Sequence, residues 1–435
     1  MKKFNFLLIV IISIFFISCQ QAEKKIKEDV SKLIWKGLPS QLLTDQEVNE
    51  EISSKVDTLK KWMKENNLGG MLFTQVRNVN WITAGRANTQ IVLNKDVGGA
   101  SLLLMEDGKK YLIANGSEAP RMLDESLQGL GYELKFYPWY EANPVKDVRG
   151  KLITDIAGNK RIGSDTPYPE TVLMDEQFQP LRYQLTFTEL KRYRWLCEQT
   201  TDAVAEVCKR LMPGMNEFEI EAMAAAEIRS RGIMPTVLLI GVDQRIYKYR
   251  HSIPFGAALK DYAMVNVVAE KWGMPVAVTR FVHFGPLPDS LQIKLEKTAI
   301  VNSHYEESTK PGISCADLFE DMKKWYAGVG FDGEWMKHHQ GGAIGYNDRE
   351  YVIYPGIKKV VLVNQAFAWN PTITGAKIEE TILVHPDSIE VLTKSKDWPM
   401  INVELDGKVY PQPAILIRNP STGEIVKQET KTIKP

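Results

Sequence analysis

Two positions near the middle of the 435-residue chain decide what chemistry that region can do. Residues 261–285, DYAMVNVVAEKWGMPVAVTRFVHFG, read as two apolar strands, 263–269 and 275–284, joined by a turn at Lys271, Trp272 and Gly273. Such a hairpin sets Asn266 and Ala277 roughly opposite each other. Paired carboxylates there would suit a metal-dependent hydrolase, because hard dications are held by negatively charged oxygen ligands. The chain has an amide and a methyl instead, so any chemistry must rest on other residues.

Composition narrows the classes. The 54 basic residues balance the 54 acidic ones, which leaves no electrostatic case for a nucleic-acid partner. A hydrophobic content of 44% over this length can bury a large core, and the length favours two or more domains. Of the four cysteines, Cys19, Cys197, Cys208 and Cys315, the middle two fall about three turns apart on one predicted helix. They are too far apart to bridge within it, so no disulfide framework is expected. At the N-terminus, Lys2 and Lys3 precede an apolar run over 4–17, shorter than the about 20 residues of a membrane span. Ending in Ile17-Ser18-Cys19, residues 1–18 resemble a bacterial lipoprotein signal. Cys19 would then be the lipidated first residue, and 19–45 a tether to an exported protein of the cell envelope, anchored through its lipid and facing the periplasm or the surface.

The elements that must position the chemistry follow from periodicity and caps. Val56, Leu59, Trp62 and Met63 mark a helix over 55–67, followed by strands at 70–74, 79–83, 100–105, 110–114 and 133–137, with a helix over 121–131. Residues 46–182 therefore read as an α/β domain with a mixed sheet. Thr186 and Glu189 form a capping box for a long helix, which Pro213-Gly214 ends, and Asn216 with Glu219 caps a second helix. The same order returns at 291–309, Pro311-Gly312 and 315–327, an internal duplication that would set a pocket between two sheets. Strands are expected at 359–363, 366–370 and 376–384, and peripheral ones at 401–405 and 414–417. The second domain spans 183–398, and 399–435 is a C-terminal extension.

With TFTELKRYRWLCEQT, LMPGMNEFEIEA, VTRFVHFG, GGAIGY and KIEETILV in this order, the chain resembles the creatinase, Xaa-Pro aminopeptidase and prolidase family. The resemblance implies an α/β (α+β) protein, a creatinase-like N-terminal domain followed by a pseudo-symmetric pita-bread domain, and a homodimer. Active members hold two divalent metals with two hairpin aspartates, a histidine and two glutamates. Carried over by position, the five ligands fall on Asn266, Ala277, Gly342, Asn370 and Glu379, and only the last keeps its type. Two dications bring four positive charges, and one carboxylate cannot balance them in a partly dry site. No metal or other cofactor is therefore expected, although His338 and His339 lie near enough in sequence to shift into a ligand position.

What the resemblance leaves is His251, at the family's pre-hairpin histidine, as a proton carrier, with Glu379 as its partner. Arg349 and Glu350 stand where the peptidases have a histidine and an acid, and arginine is a carboxylate clamp, not a proton carrier. With Arg250, Arg280, His338, Asn266 and Asn370 they would line a pocket for an anionic small molecule or short peptide. The expectation is a metal-independent hydrolase of a small C–N bond in a peptide or amidine. The alternatives are a binding or scaffold protein on the same fold, and a metallo-aminopeptidase with relocated ligands.

Overall fold

A computed structural model describes residues 42–435, so Cys19 and the stretch expected to be an export signal lie outside the described residues. Helix α1, Asp45–Glu65, opens on a capping box in which Thr44 accepts from the Glu47 N–H and Glu47 accepts from the Thr44 N–H. Its apolar stripe, including Leu59, Trp62 and Met63, lies on a sheet of six strands. These are β1 Gly70–Gln75, β2 Val97–Met105, β3 Lys110–Ala114, β4 Tyr132–Phe136, β5 Ile162–Ser164 and β6 Val172–Leu173, in the order β4-β3-β2-β1-β5-β6. The sheet is mixed, antiparallel from β1 through β3 and parallel at its other pairings.

The segment expected as a strand at 79–83 is instead part of a helix, Val76–Ile82. Asp165 explains the change: its buried carboxylate accepts the N–H groups of Thr74 and Gln75 and the Asn78 side chain, ending β1 and starting a turn. The helix expected over 121–131 is shorter, with Ala119–Arg121 continuing into a π-turn at Met122–Ser126.

Both capping boxes of the second domain are present. They open α2, Phe187–Arg210, and α3, Glu217–Arg229. Three antiparallel strands follow, β7 Met234–Val242, β8 Tyr262–Lys271 and β9 Met274–Phe284. Trp272 and Gly273 close the β8–β9 hairpin with φ of 56° and 75°, the left-handed pair that matches the twist of two-residue hairpins. The second half repeats the plan with α4, Asp289–Ser308, α5, Cys315–Gly328, and a second sheet. Its strands are β10 Gly341–Ile344, β11 Tyr351–Val352, β12 Ala366–Trp369, β15 Glu380–Val384 and β16 Ile389–Val391, and the short pair β13 Thr372–Ile373 and β14 Ala376–Lys377 stands beside it. The duplication read from the two Pro-Gly units is thus a duplication of helices and sheet.

Three further expectations need correction. Residues 359–363 form no strand; Val360 makes only an isolated bridge to Ser314. The single strand expected at 376–384 is broken at Ile378 and Glu379, between β14 and β15. The C-terminal extension is not wholly peripheral. Strands β17 Met400–Leu405, β18 Lys408–Pro413 and β20 Lys431–Ile433 form a small sheet, but β19, Leu416–Arg418, adds to the edge of the first sheet in parallel with β9.

The two sheets meet where β9 runs beside the 379–381 segment. The Ala277 N–H and C=O both bond Thr381 Oγ1, and the Thr279 N–H donates to the Glu379 carbonyl. This seam carries the polar cluster.

Candidate functional site

Because strand side chains alternate, Thr279 and Arg280 point to opposite faces, as do Glu379 and Glu380. Thr279 and Glu379 share one face of the seam, where Thr279 Oγ1 donates to Glu379 Oε2 at 2.8 Å. Arg280 and Glu380 share the other, 2.6 Å apart, and Arg280 also donates to the carbonyls of Thr279 and Thr393. Arg280 is therefore a buried bracket of the sheet and does not line the cluster with Glu379. Glu350 departs from its expected place as well. Its carboxylate takes Arg182 at 2.8 Å and the Tyr346 N–H at 2.9 Å, which fixes the loop after β10 to the turn Gln179–Arg182 just ahead of α2.

The register also moves the opening pair. Asn266 faces Thr279 across the hairpin and Ala277 faces Val268, so Asn266 and Ala277 are diagonal neighbours on one face. Asn266 Nδ2 donates to Thr279 Oγ1 at 2.7 Å and to Glu379 Oε2.

Glu379 is the centre of this cluster and is 2% exposed. Besides the Asn266 and Thr279 bonds, its carboxylate meets Lys377 Nζ at 2.9 Å and Arg349 Nη2 at 3.3 Å. Burial by itself would raise its pKa, but Lys377 and Arg349 outweigh burial and hold it down at about 2. The carboxylate is thus an anion at any working pH and a poor proton acceptor. Lys377 went unread in the sequence, although the signal was there: it lies two positions before Glu379, the spacing that places both side chains on one face.

His251 stands on the loop after the short helix Gln244–Lys248, away from the Glu379 hydrogen bonds. Its Nε2 lies 3.0 Å from His338 Nε2, with the rings edge to face. His338 in turn stacks on His339, ring centroids 4.3 Å apart. The neighbouring Arg250 holds this arrangement by pairing with Glu334 and donating to Thr374 Oγ1 at 2.9 Å, so it braces one histidine segment against the other. Gln340 adds a second brace, donating to the His338 carbonyl at 2.7 Å and accepting from Tyr326 OH at 2.6 Å. Burial lowers the pKa of all three rings, helped by Lys377 at His251 and His338 and by Arg349 at His339. His338 falls to about 3 and His339 to about 4, so both are neutral near pH 7. Asn370 is 2% exposed, and its Oδ1 has no hydrogen-bond partner among the described residues.

These residues do not fit a two-metal carboxylate centre. The one carboxylate is engaged by two cations and two neutral donors, and Asn266 offers its amide N–H where a ligand oxygen would be needed. At Gly342 a Cβ would stand 2.1 Å from the Tyr351 carbonyl oxygen, so this backbone has no room for any side chain, a histidine included. Lys377 supplies beside Glu379 the kind of positive charge that a metal ion would bring.

Comparison with known proteins agrees with this fold. Residues 191–386 match the sequence profile of metallopeptidase family M24. No curated protein matches the chain by sequence. Among solved structures it is similar to a prolidase from Pyrococcus horikoshii OT3, with a TM-score of 0.66 and 19% identity over 79% of this chain and 99% of that one. An Xaa-Pro dipeptidase from Bacillus anthracis gives 0.65 and 17% over 79% and 98%, and a proline aminopeptidase P II from Yersinia pestis gives 0.61 and 12% over 79% and 95%. Residues 191–386 therefore belong to metallopeptidase family M24, and the chain as a whole carries the pita-bread fold of the creatinase, Xaa-Pro aminopeptidase and prolidase family.

Proposed function

We propose that this chain binds a small carboxylate-bearing ligand, an amino acid derivative or short peptide, without two-metal hydrolysis. One observation carries the reading: Lys377 and Arg349 face a single carboxylate, Glu379, which leaves the cluster with a net positive charge. Such a cluster disfavours a pair of dications and favours an organic anion, for which an arginine is a directional clamp. The test is a thermal-shift and calorimetric screen of the purified chain against dipeptides, amino acids, their amides, and creatine-like amidines. Acids should stabilise the protein while their amides do not, and Arg349→Gln should abolish the difference. Equal binding of acids and amides would refute the reading.

A second reading, metal-independent cleavage of a C–N bond, is favoured by the His251–His338 contact, since a neutral imidazole can accept a proton from water. Glu379 would then only hold charge in place. Turnover of an Xaa-Pro dipeptide or an amidine by chelator-treated protein, lost in His251→Ala, would establish it. Absence of turnover across the panel would leave the binding reading alone.

Lipid anchoring in the envelope through Cys19 goes with both readings and rests on the N-terminal pattern of Lys2, Lys3, apolar run and Cys19. Release of the Cys19→Ala variant from membranes is its test. A homodimer is proposed on the family resemblance, and light scattering on the purified chain checks it.

A further inference from the structure

We infer that His251, His338 and His339 form a binding site for one divalent transition-metal ion, distinct from the family's two-metal centre and built on nitrogen donors alone. The three rings each offer a ring nitrogen, and these atoms all lie within 4.8 Å of one another. Zinc–imidazole bonds of 2.0–2.1 Å in a tetrahedron place nitrogens about 3.3 Å apart. The His251–His338 pair, at 3.0 Å, is already near that spacing, and no pair needs to close by more than about 1.5 Å. Two imidazole nitrogens aimed at each other at this distance must share something, either one proton or one metal ion.

The setting favours the ion on two counts. The rings come from two segments tied to each other through Arg250 with Glu334, and Gln340 braces the His338 segment from within, so little side-chain ordering remains for the ion to impose. His251 and His339 are exposed, which gives an entry path and leaves a fourth position open to water or a ligand oxygen. Three imidazoles suit zinc, copper, nickel or cobalt, and not the hard ions that need carboxylates.

Two features moderate affinity. His338 Nδ1 is buried without a hydrogen-bond partner among the described residues, so the outer-shell acceptor usual for a ligating histidine is lacking, worth about 10–100-fold. His339 Nδ1 accepts a long 3.3 Å bond from the Gly341 N–H, which ligation through the other nitrogen would displace. Lys377 and Arg349 repel a cation and Glu379 attracts one; all three act on the histidines at a distance.

The inference does not rest on the carboxylate-binding reading, because the probe is metal alone. The full chain, without a polyhistidine tag and stripped with chelator, is titrated with zinc by calorimetry and with cobalt by visible absorption. The expected result is one ion per chain with the intense visible bands of tetrahedral cobalt, competed away by zinc. His251→Ala, on an exposed loop, and His339→Ala should each weaken binding at least about tenfold, while His385→Ala should leave it unchanged. Circular dichroism verifies that the variants fold. Failure of the wild type to bind zinc or cobalt, octahedral cobalt absorption, or binding that survives a His251→Ala and His339→Ala double variant would each overturn the proposal.

Discussion

Lys377→Met removes the ammonium that neutralises Glu379 while keeping most of the side-chain volume. Glu379 has an ordinary value of 4.5 and is held at about 2 in the folded protein. A difference of that size corresponds to roughly 3 kcal/mol of stability at neutral pH. Breaking a buried ion pair from one side costs about 3–5 kcal/mol, because the remaining charge loses its partner. Both figures are upper bounds, because Arg349 still faces Glu379 at 3.3 Å and shares in the depression, so a loss of about 1–3 kcal/mol at pH 7 is expected. The sign with pH follows from the depressed value. A carboxyl lowered from 4.5 to about 2 stabilises the fold above pH 4.5, and that contribution disappears as pH falls towards 2. The gap between wild type and Lys377→Met should therefore narrow steadily over that window. Urea denaturation at pH 7, 5 and 3, followed by tryptophan fluorescence, measures it. The double variant Lys377→Met with Glu379→Gln should recover part of the loss, since the buried carboxylate is then gone and the charge that remains, Arg349, is the more exposed member of its pair. A loss below about 1 kcal/mol at pH 7, or a gap that does not change with pH, would refute the view that Lys377 is the cation on which Glu379 depends.

Glu306 behaves in the opposite sense. Burial pushes its carboxyl up to about 8 beside Asn302 and Gln412, so the folded state holds a proton that the unfolded state releases above 4.5. Stability from this site is full below 4.5 and is lost as pH rises through 8, and Glu306→Gln should raise the melting temperature relative to wild type more at pH 9 than at pH 5. Arg280→Met should destabilise by about 3–5 kcal/mol through the stranded Glu380, yet leave ligand affinity untouched, as paired denaturation and calorimetry would show. Restoring the hairpin aspartates with Asn266→Asp and Ala277→Asp should produce no manganese- or cobalt-dependent Xaa-Pro cleavage, because Asn370 still lacks a carboxylate and Gly342 has no space for a ligand side chain. Metal-dependent turnover by that double variant would contradict the steric argument.

The helices and sheets were largely legible because local rules set them. Thr186 with Glu189 and Asn216 with Glu219 announce helix starts in the sequence, and the structure has both capping boxes. Two apolar runs on either side of a turn signal gave the hairpin and its turn at Trp272 and Gly273. The strand expected at 79–83 became a helix because Asp165, far along the chain, accepts the last two N–H groups of β1 and the Asn78 side chain beyond it. No local pattern near residue 80 contains that information.

The site divides in the same way. From the sequence alone it follows that the family's ligand positions hold Asn266, Ala277, Gly342 and Asn370, and therefore that four of the five donors have changed type. Period-two alternation also implied that Lys377 shares a face with Glu379 and that Arg280 does not share one with Thr279. Which charges touch was decided by tertiary structure. The seam between β9 and β15 brings Thr279 and Asn266 onto Glu379 from about a hundred residues away, and the fold sets His251 against His338 and His339 across 87 positions of chain. Residue type and spacing act over a few positions, through backbone geometry. Contacts across such separations exist only once two sheets have closed on each other, because burial of their apolar faces, not any local preference, holds them together.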